Sequence, residues 1–330
     1  MCFRSFKPRR FFKISAAIIV ALSAVIIAIY PERYLKSTLS GIKLWAFSVL
    51  PSLLPYFFLT TVLTKLNVLN GCFNKLDKPF KKLFNVKGVA SYAFLSSVIS
   101  GYPVGAKILS DLYKGGLISE GEVKRAAPLC STSGPLFIVG AVGVSMFFSK
   151  TAGAIMLASH VLSAIFTALT FRRVKGGVLN SSGALLSEKH DNILYEAAYG
   201  AVNSVLIVGA YVAVFFVITD ILCDFKVLTL PALILKPFFK LIGASGCEYP
   251  FLVGLIECTK GAKELSMIGA SPKTVALSAS LISFGGLSII MQSLTYLSSA
   301  KVSPLYFMGV KCVHAFYAFL TALSFCYLFL

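Results

Sequence analysis

The sequence predicts an all-α polytopic membrane protein, and three observations support this fold class. Apolar residues make up 57% of the 330 residues, charged residues make up 13%, and the mean hydropathy is +0.83. A soluble domain has roughly 45–50% apolar and about 25% charged residues. Several apolar runs reach the length of about 20 residues that a helix needs to cross a bilayer. In addition, short motifs recur in the two halves of the chain in the same order.

The recurring motifs predict an internal duplication. Three motifs occur once in each half, and their separations agree to within about one helical turn. Duplicated halves with interrupted apolar segments are typical of transporters whose site lies between the halves. The matched pairs are Gly105-Ala106-Lys107 with Gly261-Ala262-Lys263, Gly134-Pro135 with Gly285-Gly286, and His160 with His314.

The net charge of +18 is carried mainly by short connectors between apolar segments. Cationic connectors fix the orientation of a membrane protein and contact anionic lipid. No basic face interleaved with aromatic residues is present, so we expect no nucleic-acid partner. The eight cysteines form no C-x-x-C pair and the three histidines are scattered, so we expect neither a metal site nor a cofactor.

Residues 1–40 are interpreted as a basic N-terminus followed by the first transmembrane helix. Basic residues precede an uncharged apolar run over 14–30. This run is long for a signal peptide, and no A-x-A cleavage site follows it. We therefore predict a retained helix outside the duplicated unit, with the N-terminus in the cytoplasm.

The first repeat is predicted over residues 41–171. It begins with a span and a basic amphipathic helix that lies on the cytoplasmic surface. An apolar segment of about a dozen residues, too short to cross, and a short helix follow. The predicted elements are a span over 42–64 kinked at Pro51 and Pro55, a surface helix within 65–88, short segments over 89–100 and 104–113, a broken helix over 121–148, and a span over 151–171.

A polar cytoplasmic linker over 172–192 separates the repeats, and the second repeat is predicted over 193–330. Whether the repeats are inverted stays open. Both basic stretches are cytoplasmic only if one element between them is re-entrant. The second repeat is predicted to contain a span over 199–222, an amphipathic helix over 226–243, a short segment over 249–257, a helix over 272–297 broken at Gly285-Gly286, and a span over 304–330.

The interrupted segments are the candidate substrate site. Non-helical backbone at membrane depth is tolerated only where protein or a water-filled cavity covers it. A broken helix exposes N–H groups that favour anions at one end and C=O groups that favour cations at the other. The alternative is a kink sealed by neighbouring hydroxyl groups. The predicted substrate-binding residues are Gly101, Tyr102, Pro103, Lys107, Ser131, Thr132, Ser133, Gly134, Pro135, Glu257, Lys263, Gly285, Gly286 and Gln292.

The charged and amide residues of this set have competing interpretations. Lys107 and Lys263 occupy equivalent repeat positions, and they either pair with a substrate carboxylate or extend to the lipid headgroups. Glu257 lies in an apolar run and either binds a coupling proton or Na⁺, or forms a local ion pair with Lys260 or Lys263. Gln292 either contacts ligand or joins helices by a hydrogen bond.

The two matched histidines, His160 and His314, titrate near neutrality and could relay protons. A structural hydrogen bond between helices is the favoured interpretation. The sequence contains no Ser-His-Asp arrangement, paired catalytic carboxylates, phosphate-binding glycine loop or H-E-x-x-H motif. We therefore predict that the protein is not an enzyme.

Two segments of the first repeat, Ser100–Lys107 and Cys130–Gly140, resemble the YlbJ-type sporulation integral membrane proteins. These proteins form part of the nucleoside-recognition Gate domain group, which is related to concentrative nucleoside transporters. Gly254–Glu257 and Phe284–Leu287 in the second repeat are also similar to that family. The resemblance covers roughly residues 40–330. It implies Gate-like repeats, a role in endospore formation, and a stage V transporter of dipicolinate in the outer forespore membrane.

The predicted function is transport of a small organic anion, with dipicolinate as the specific candidate. Nucleoside transport and a non-transporting role in assembling a sporulation membrane complex are the alternatives. The bacterial cell membrane is the alternative location. The coupling ion, H⁺ or Na⁺, and the oligomeric state stay open, and a homo-oligomer is among the states that the sequence allows.

Overall fold

The computed structural model describes residues 8–66, 73–175 and 192–330. Within these ranges the chain consists of helices and connecting turns, with no β-strand. Four helical segments are long and apolar enough to cross a membrane, and a fifth span is added if one sharply bent pair of helices counts as a single crossing. The protein is therefore an all-α polytopic membrane protein, as its sequence predicts.

The first two helices are joined at a sharp bend. Helix α1 (Pro8–Ile29) and helix α2 (Pro31–Leu44) meet at an angle of 107°. Pro31 causes the break because its ring prevents continuation of the preceding helix, whereas its fixed φ suits the first turn of a new one. Beyond α2 the chain passes through a π-helical turn, Trp45–Val49, into α3 (Leu50–Lys65).

This continuity corrects the start of the span predicted over 42–64, whose kinks at Pro51 and Pro55 stay predictions. The continuous helical segment begins at Pro31, and the π-helical turn ends two residues before Pro51. A proline removes one hydrogen bond and crowds the carbonyl four residues earlier, so a widened turn at this point relieves the clash. Pro55 lies inside α3, which continues beyond it to Lys65.

The basic surface helix is shorter than predicted. In the described part of 65–88 it comprises a 3₁₀ turn, Asn74–Leu76, and helix α4 (Asp77–Phe84), while residues 67–72 lie outside the described ranges. Helix α4 ends at Asn85, whose φ of 58° is left-handed. The carboxylate of Asp77 accepts a hydrogen bond from the backbone N–H of Gly88, which folds the chain back toward the start of α4.

A helical hairpin follows, with the bounds that the sequence predicts. Helix α5 (Ala90–Ser100) and helix α6 (Val104–Lys114) are joined by Gly101-Tyr102-Pro103. Each helix has 11 residues, or about 16 Å of helix, which is far short of a bilayer core of about 30 Å. Neither helix of the hairpin is therefore long enough to cross the membrane by itself.

The next unit is a broken helix. Helix α7 (Glu120–Ala126) begins with a capping box in which Ser119 and Glu122 bond each other's backbone N–H groups. The chain then runs through turns and irregular backbone over 127–134 before a π-helix, Leu136–Met146, begins. Helix α8 (Lys150–Phe171) is the full span that follows.

The second half of the described chain has the same order of hairpin, broken helix and full span. One member of its hairpin, α12, was not identified from the sequence. The duplication itself stays a prediction, because a shared order of elements does not require it. The helices are α9 (Ile193–Asp224), α10 (Thr229–Leu241), α11 (Glu248–Ile256), α12 (Cys258–Ile268), α13 (Pro272–Phe284), α14 (Gly286–Leu297), a 3₁₀ turn Ser298–Ala300, and α15 (Pro304–Phe329).

The broken helix of the second half lies at the centre of the molecule. Of the most apolar stretch within Pro272–Ala300, 83% is buried by protein, compared with 22% for α15. Helix α15 packs along both α13 and α8, and the rings of His160 and His314 lie 4.9 Å apart between the two spans. This central position brings the interruption in the second half close to the one in the first.

Candidate functional site

A cavity of about 800 Å³ lies where the interrupted segments of the two halves meet. One side is apolar and is formed by the π-helical turn, α3 and α9, including Phe47, Tyr56 and Val212. The other side is formed by the hairpin tips and the broken helices. The residues that line this second side include Ser100, Gly101, Tyr102, Ser133, Gly134, Glu257, Cys258, Thr259, Ser288 and Gln292.

In the first half, the hairpin tip is pressed against the broken helix. Gly101 has a φ of +88°, and a Cβ atom there would lie 2.7 Å from the backbone nitrogen of Gly134. Glycine is therefore required both by the backbone conformation and by the close approach. The hydroxyl of Ser97 accepts a hydrogen bond from the backbone N–H of Thr132 at 3.1 Å and lies 2.8 Å from its Oγ1.

The second half brings its hairpin and broken helix together in the same way. Gly285 and Gly286 both have positive φ, at +88° and +68°. A Cβ atom on Gly286 would lie 3.0 Å from the backbone nitrogen of Cys258 and 3.0 Å from the carbonyl oxygen of Ile256. The second pair of interruptions therefore meets backbone to backbone, and both pairs adjoin the same cavity.

Four helices begin beside the cavity: α6, the π-helix at Leu136, α12 and α14. Tyr102 lies just before α6, and Gly134 lies just before the π-helix. Thr259 lies in the first turn of α12, and Ser288 lies in the first turn of α14. The first N–H groups of a helix lack partners within it and carry partial positive charge, so these helix starts favour an anionic ligand.

Glu257 is buried at the tip of the second hairpin, and its side chain caps α12. One carboxylate oxygen accepts the backbone N–H of Lys260 at 2.8 Å. The ammonium group of Lys260 instead pairs with Asp220 at 2.8 Å. The alternative of a side-chain ion pair between Glu257 and Lys260 is therefore wrong, because Lys260 reaches across to α9 rather than back to the cap.

The two matched lysines do not reach the cavity. The ammonium group of Lys107 bonds Thr61 Oγ1 at 2.9 Å and the carboxylate of Asp111 at 2.8 Å. Lys263 is exposed on α12. The expected shared contact of this pair with a substrate carboxylate is not supported, because the two helices present equivalent positions to different surroundings.

The other predicted residues divide into lining and supporting groups. Gln292 lines the cavity, and its amide nitrogen donates to the hydroxyl of Ser288 at 3.2 Å. The remaining members shape the interruptions behind the cavity wall and are not part of its lining. They are Pro103, Ser131, Thr132, Pro135, Gly285 and Gly286.

Lys311 on α15 is a buried cation that sequence reasoning missed. Its side chain is fully buried, and its Nζ donates to the Tyr102 hydroxyl at 2.7 Å and to the carbonyl oxygen of Ser131 at 3.1 Å. No carboxylate in the described part of the chain forms an ion pair with it. The signal was available, because a lysine inside an apolar span is by default a functional candidate. The equivalent residue before His160 is Leu157.

The two histidines form hydrogen bonds that join elements around the first break. His160 Nε2 accepts the backbone N–H of Ser133 at 2.8 Å. Its Nδ1 therefore carries the ring proton and donates to the hydroxyl of Ser283, 2.7 Å away on α13. His314 Nε2 lies 3.0 Å from the carbonyl oxygen of His160. These contacts agree with the structural interpretation of both histidines.

The fold and cavity define an all-α polytopic membrane protein in which, within the described ranges, two hairpins and two broken helices form one side of a cavity. The chain is 27% identical, over 326 aligned residues, to the sporulation integral membrane protein YlbJ of Bacillus subtilis (strain 168). The similarity covers 92% of this chain and 80% of that protein, and it agrees with the resemblance to YlbJ-type proteins that the motifs indicate. No family model and no solved structure matches the chain. The relationship to the nucleoside-recognition Gate domain stays a prediction.

Proposed function

We propose that the protein carries a small organic anion across a membrane during sporulation, with dipicolinate as the specific substrate. The observation that carries this proposal is the single cavity at which the interruptions of both halves meet. Broken helices around one internal site are the arrangement that lets a transporter bind a polar solute at membrane depth. The YlbJ relative is described as a sporulation integral membrane protein, which supports a role during sporulation.

The charges around the cavity favour an anion. Each helix N-terminus contributes a partial charge of roughly +0.5 at low solvent exposure. The carboxylate of Glu257, which caps α12, carries a full negative charge and therefore offsets about two of the four. The ammonium group of Lys311 lies behind Tyr102, which lines the cavity. It adds a positive charge that no carboxylate among the described residues pairs with. The net field therefore attracts a carboxylate-bearing ligand.

The dimensions of the cavity suit a small ring compound. Ligand pockets span about 300–1,000 Å³, and this cavity of about 800 Å³ falls within that range. The apolar side formed by Phe47, Tyr56 and Val212 can cover the faces of an aromatic ring. The opposite side includes Ser133 and Thr259, whose hydroxyl groups can donate hydrogen bonds to carboxylates. A planar aromatic dicarboxylate matches both sides.

Uptake of labelled dipicolinate into proteoliposomes tests the proposal. Ser133→Leu places a branched apolar side chain at the cavity wall, and we expect it to abolish uptake. Lys263→Ala is the matched control, because Lys263 is exposed and lies off the cavity. Absence of wild-type uptake under every ion gradient tried would rule out the proposed transport.

The Ser133→Leu variant also separates transport from assembly in the cell, with Lys263→Ala as its control. A strain carrying Ser133→Leu is expected to make spores with little dipicolinate while the variant protein still reaches the membrane. Normal dipicolinate in that strain, together with its loss on deletion of the whole protein, would favour the assembly role. The proposed site is the outer forespore membrane, with the N-terminus in the cytoplasm and net movement toward the spore.

Nucleoside transport is the second candidate, because Glu257, Ser288 and Gln292 in the lining can bond ribose hydroxyls and base edges. Competition distinguishes the two. An excess of unlabelled dicarboxylate should suppress dipicolinate uptake, whereas an excess of nucleoside should not. The reverse result would identify the nucleoside as the preferred substrate.

A further inference from the structure

The ammonium group of Lys311 lies where three interruptions converge. It donates to the carbonyl oxygen of Ser131 in the first break and to the hydroxyl of Tyr102 in the first hairpin tip. That hydroxyl in turn donates to the carbonyl oxygen of Ile282, near the end of α13, at 3.3 Å. A Cβ atom on Gly285, at the second break, would lie 3.8 Å from Cε of Lys311.

Carbonyl oxygens at helix ends attract cations. The last four C=O groups of a helix lack partners within it and carry partial negative charge. In transporters with broken helices, such carbonyl groups and unwound backbone commonly coordinate the driving Na⁺. Here the terminal turn of α13 and the unwound carbonyl of Ser131 face the ammonium group of Lys311, directly or through Tyr102.

Lys311 Nζ is the donor in both of its hydrogen bonds, as an ammonium group must be. An ammonium group has donors and no acceptor, and both of its oxygen partners here accept. Tyr102 accepts from Lys311 and donates onward to Ile282, so its hydroxyl is used in both roles. The Nζ atom also lies 4.7 Å from the centroid of the Tyr102 ring, within reach of a cation–π interaction.

We propose that the ammonium group of Lys311 is a built-in cation that occupies the place of a coupling Na⁺, so that the protein moves its anion without Na⁺. The transport part of this proposal rests on the proposed function, whereas the cation site itself does not. One of the two halves carries this group, because Leu157 stands at the equivalent position of the first half.

Removing the side chain should turn the position into a Na⁺ site. In Lys311→Ala the carbonyl of Ser131 and the hydroxyl of Tyr102 lose their donor. The hydroxyl of Ser131 is also buried and has no hydrogen-bond partner among the described residues. These oxygens, with water filling the vacated volume, supply the hard ligands that an alkali cation prefers.

Thermal unfolding of the purified protein in lipid nanodiscs tests the cation site without any transport assay. Midpoints are compared in NaCl and in choline chloride at equal ionic strength. We expect the same midpoint in both salts for the wild type and for Lys263→Ala, the exposed control. For Lys311→Ala we expect a midpoint that is lower in choline and rises by about 2 to 4 °C in NaCl when Na⁺ exceeds its Kd about tenfold.

Two results would overturn the proposal. One is a wild-type midpoint that rises in NaCl but not in choline, because Na⁺ would then bind with Lys311 in place. The other is a folded Lys311→Ala with equal midpoints in both salts, because the vacated position would then not be a cation site. Lys311→Ser, which also leaves the position open and adds a hydroxyl oxygen, replaces the alanine variant if the latter does not fold, and the wild-type comparison decides if neither folds.

Uptake measurements separate this proposal from the proposed function. Wild-type dipicolinate uptake that proceeds equally in sodium and choline buffers supports both. Uptake that requires Na⁺ overturns the built-in cation and leaves anion transport standing. If no uptake occurs in either buffer, the proposed function fails, and the thermal comparison still decides whether Lys311 stands in for Na⁺.

Discussion

The two breaks, one in each half, occupy corresponding places beside the cavity but are built differently. In the first, irregular backbone over 127–134 is held by side chains from other helices: Ser97, His160 and Lys311 each bond one of its backbone groups. In the second, α13 passes into α14 through Gly285 and Gly286, whose positive φ angles make the turn without side-chain bonds to the glycines among the described residues.

This difference has a physical consequence. A long unwound segment leaves several backbone groups without helical partners, and each buried one needs a replacement. A two-glycine junction leaves few such groups, so backbone packing against the neighbouring hairpin is sufficient. The first break therefore depends on distant polar side chains, and the second depends on the absence of side chains. Substitutions can test this contrast.

Gly101→Val is expected to have the largest effect. The variant combines a left-handed φ of +88° with a Cβ atom 2.7 Å from the backbone nitrogen of Gly134. A β-branched residue at such a position should cost more than about 4 kcal/mol of stability. Gly309→Ala is the control, because no atom lies within 4 Å of its Cβ position. The yield of monodisperse protein measures both, and equal yields would contradict the close approach.

Lys311→Met should fold but take up dipicolinate with a much higher KM. Removing the positive charge next to Tyr102 weakens attraction for the anion, and we expect KM for dipicolinate uptake to rise by at least tenfold, equivalent to about 1.4 kcal/mol. The matched variant Lys263→Met should keep the wild-type KM. An unchanged KM in Lys311→Met would show that this charge does not act on the substrate.

The matched histidines should respond unequally. His160→Leu leaves the backbone N–H of Ser133 buried without an acceptor, which costs about 1–3 kcal/mol. His314→Leu should cost less, because the carbonyl oxygen of His160 keeps another donor, the hydroxyl of Ser163 at 2.9 Å. Unfolding midpoints of the two variants check the order. A larger loss for His314→Leu would show that the first break does not depend on His160.

The smallest effects are expected for Lys107 and Lys263, the two lysines at matched positions of the predicted repeats. Lys107→Ala removes hydrogen bonds to Thr61 and Asp111 and should cost about 1 kcal/mol. Lys263→Ala should lie within about 0.5 kcal/mol of the wild type, because Lys263 is exposed. Neither should change uptake by more than about twofold. A large uptake defect in both would restore the shared role that their spacing suggests.

Much of the helix pattern could be predicted from local signals. The hairpin bounds at Ser100 and Val104 and the junction at Gly285-Gly286 follow from glycine and proline positions. The prediction failed at the start of the second helical segment, which begins at Pro31 rather than at residue 42, because a helix continues through polar residues that hydropathy excludes from a span. Helix α12 was not predicted, because it is short and polar residues interrupt its buried face.

The site was harder to predict than the fold. Gly101, Ser133, Glu257 and Gln292 line the cavity, in agreement with their polar or flexible character within apolar segments. Lys107 and Lys263 do not line the cavity as predicted. Equivalent positions in the two repeats do not determine which neighbouring residues a long side chain contacts. Lys311 was overlooked within the final apolar run, although its position there was itself the signal.

The sequence by itself determined that this is a helical membrane protein and where its helices break, because hydropathy and the backbone limits of glycine and proline act over a few residues. The tertiary structure alone decided that the breaks share one cavity and that Lys311, rather than Lys107 or Lys263, lies behind it. The reason is geometric. A side chain's surroundings depend on how its helix is rotated and packed against segments more than a hundred residues away.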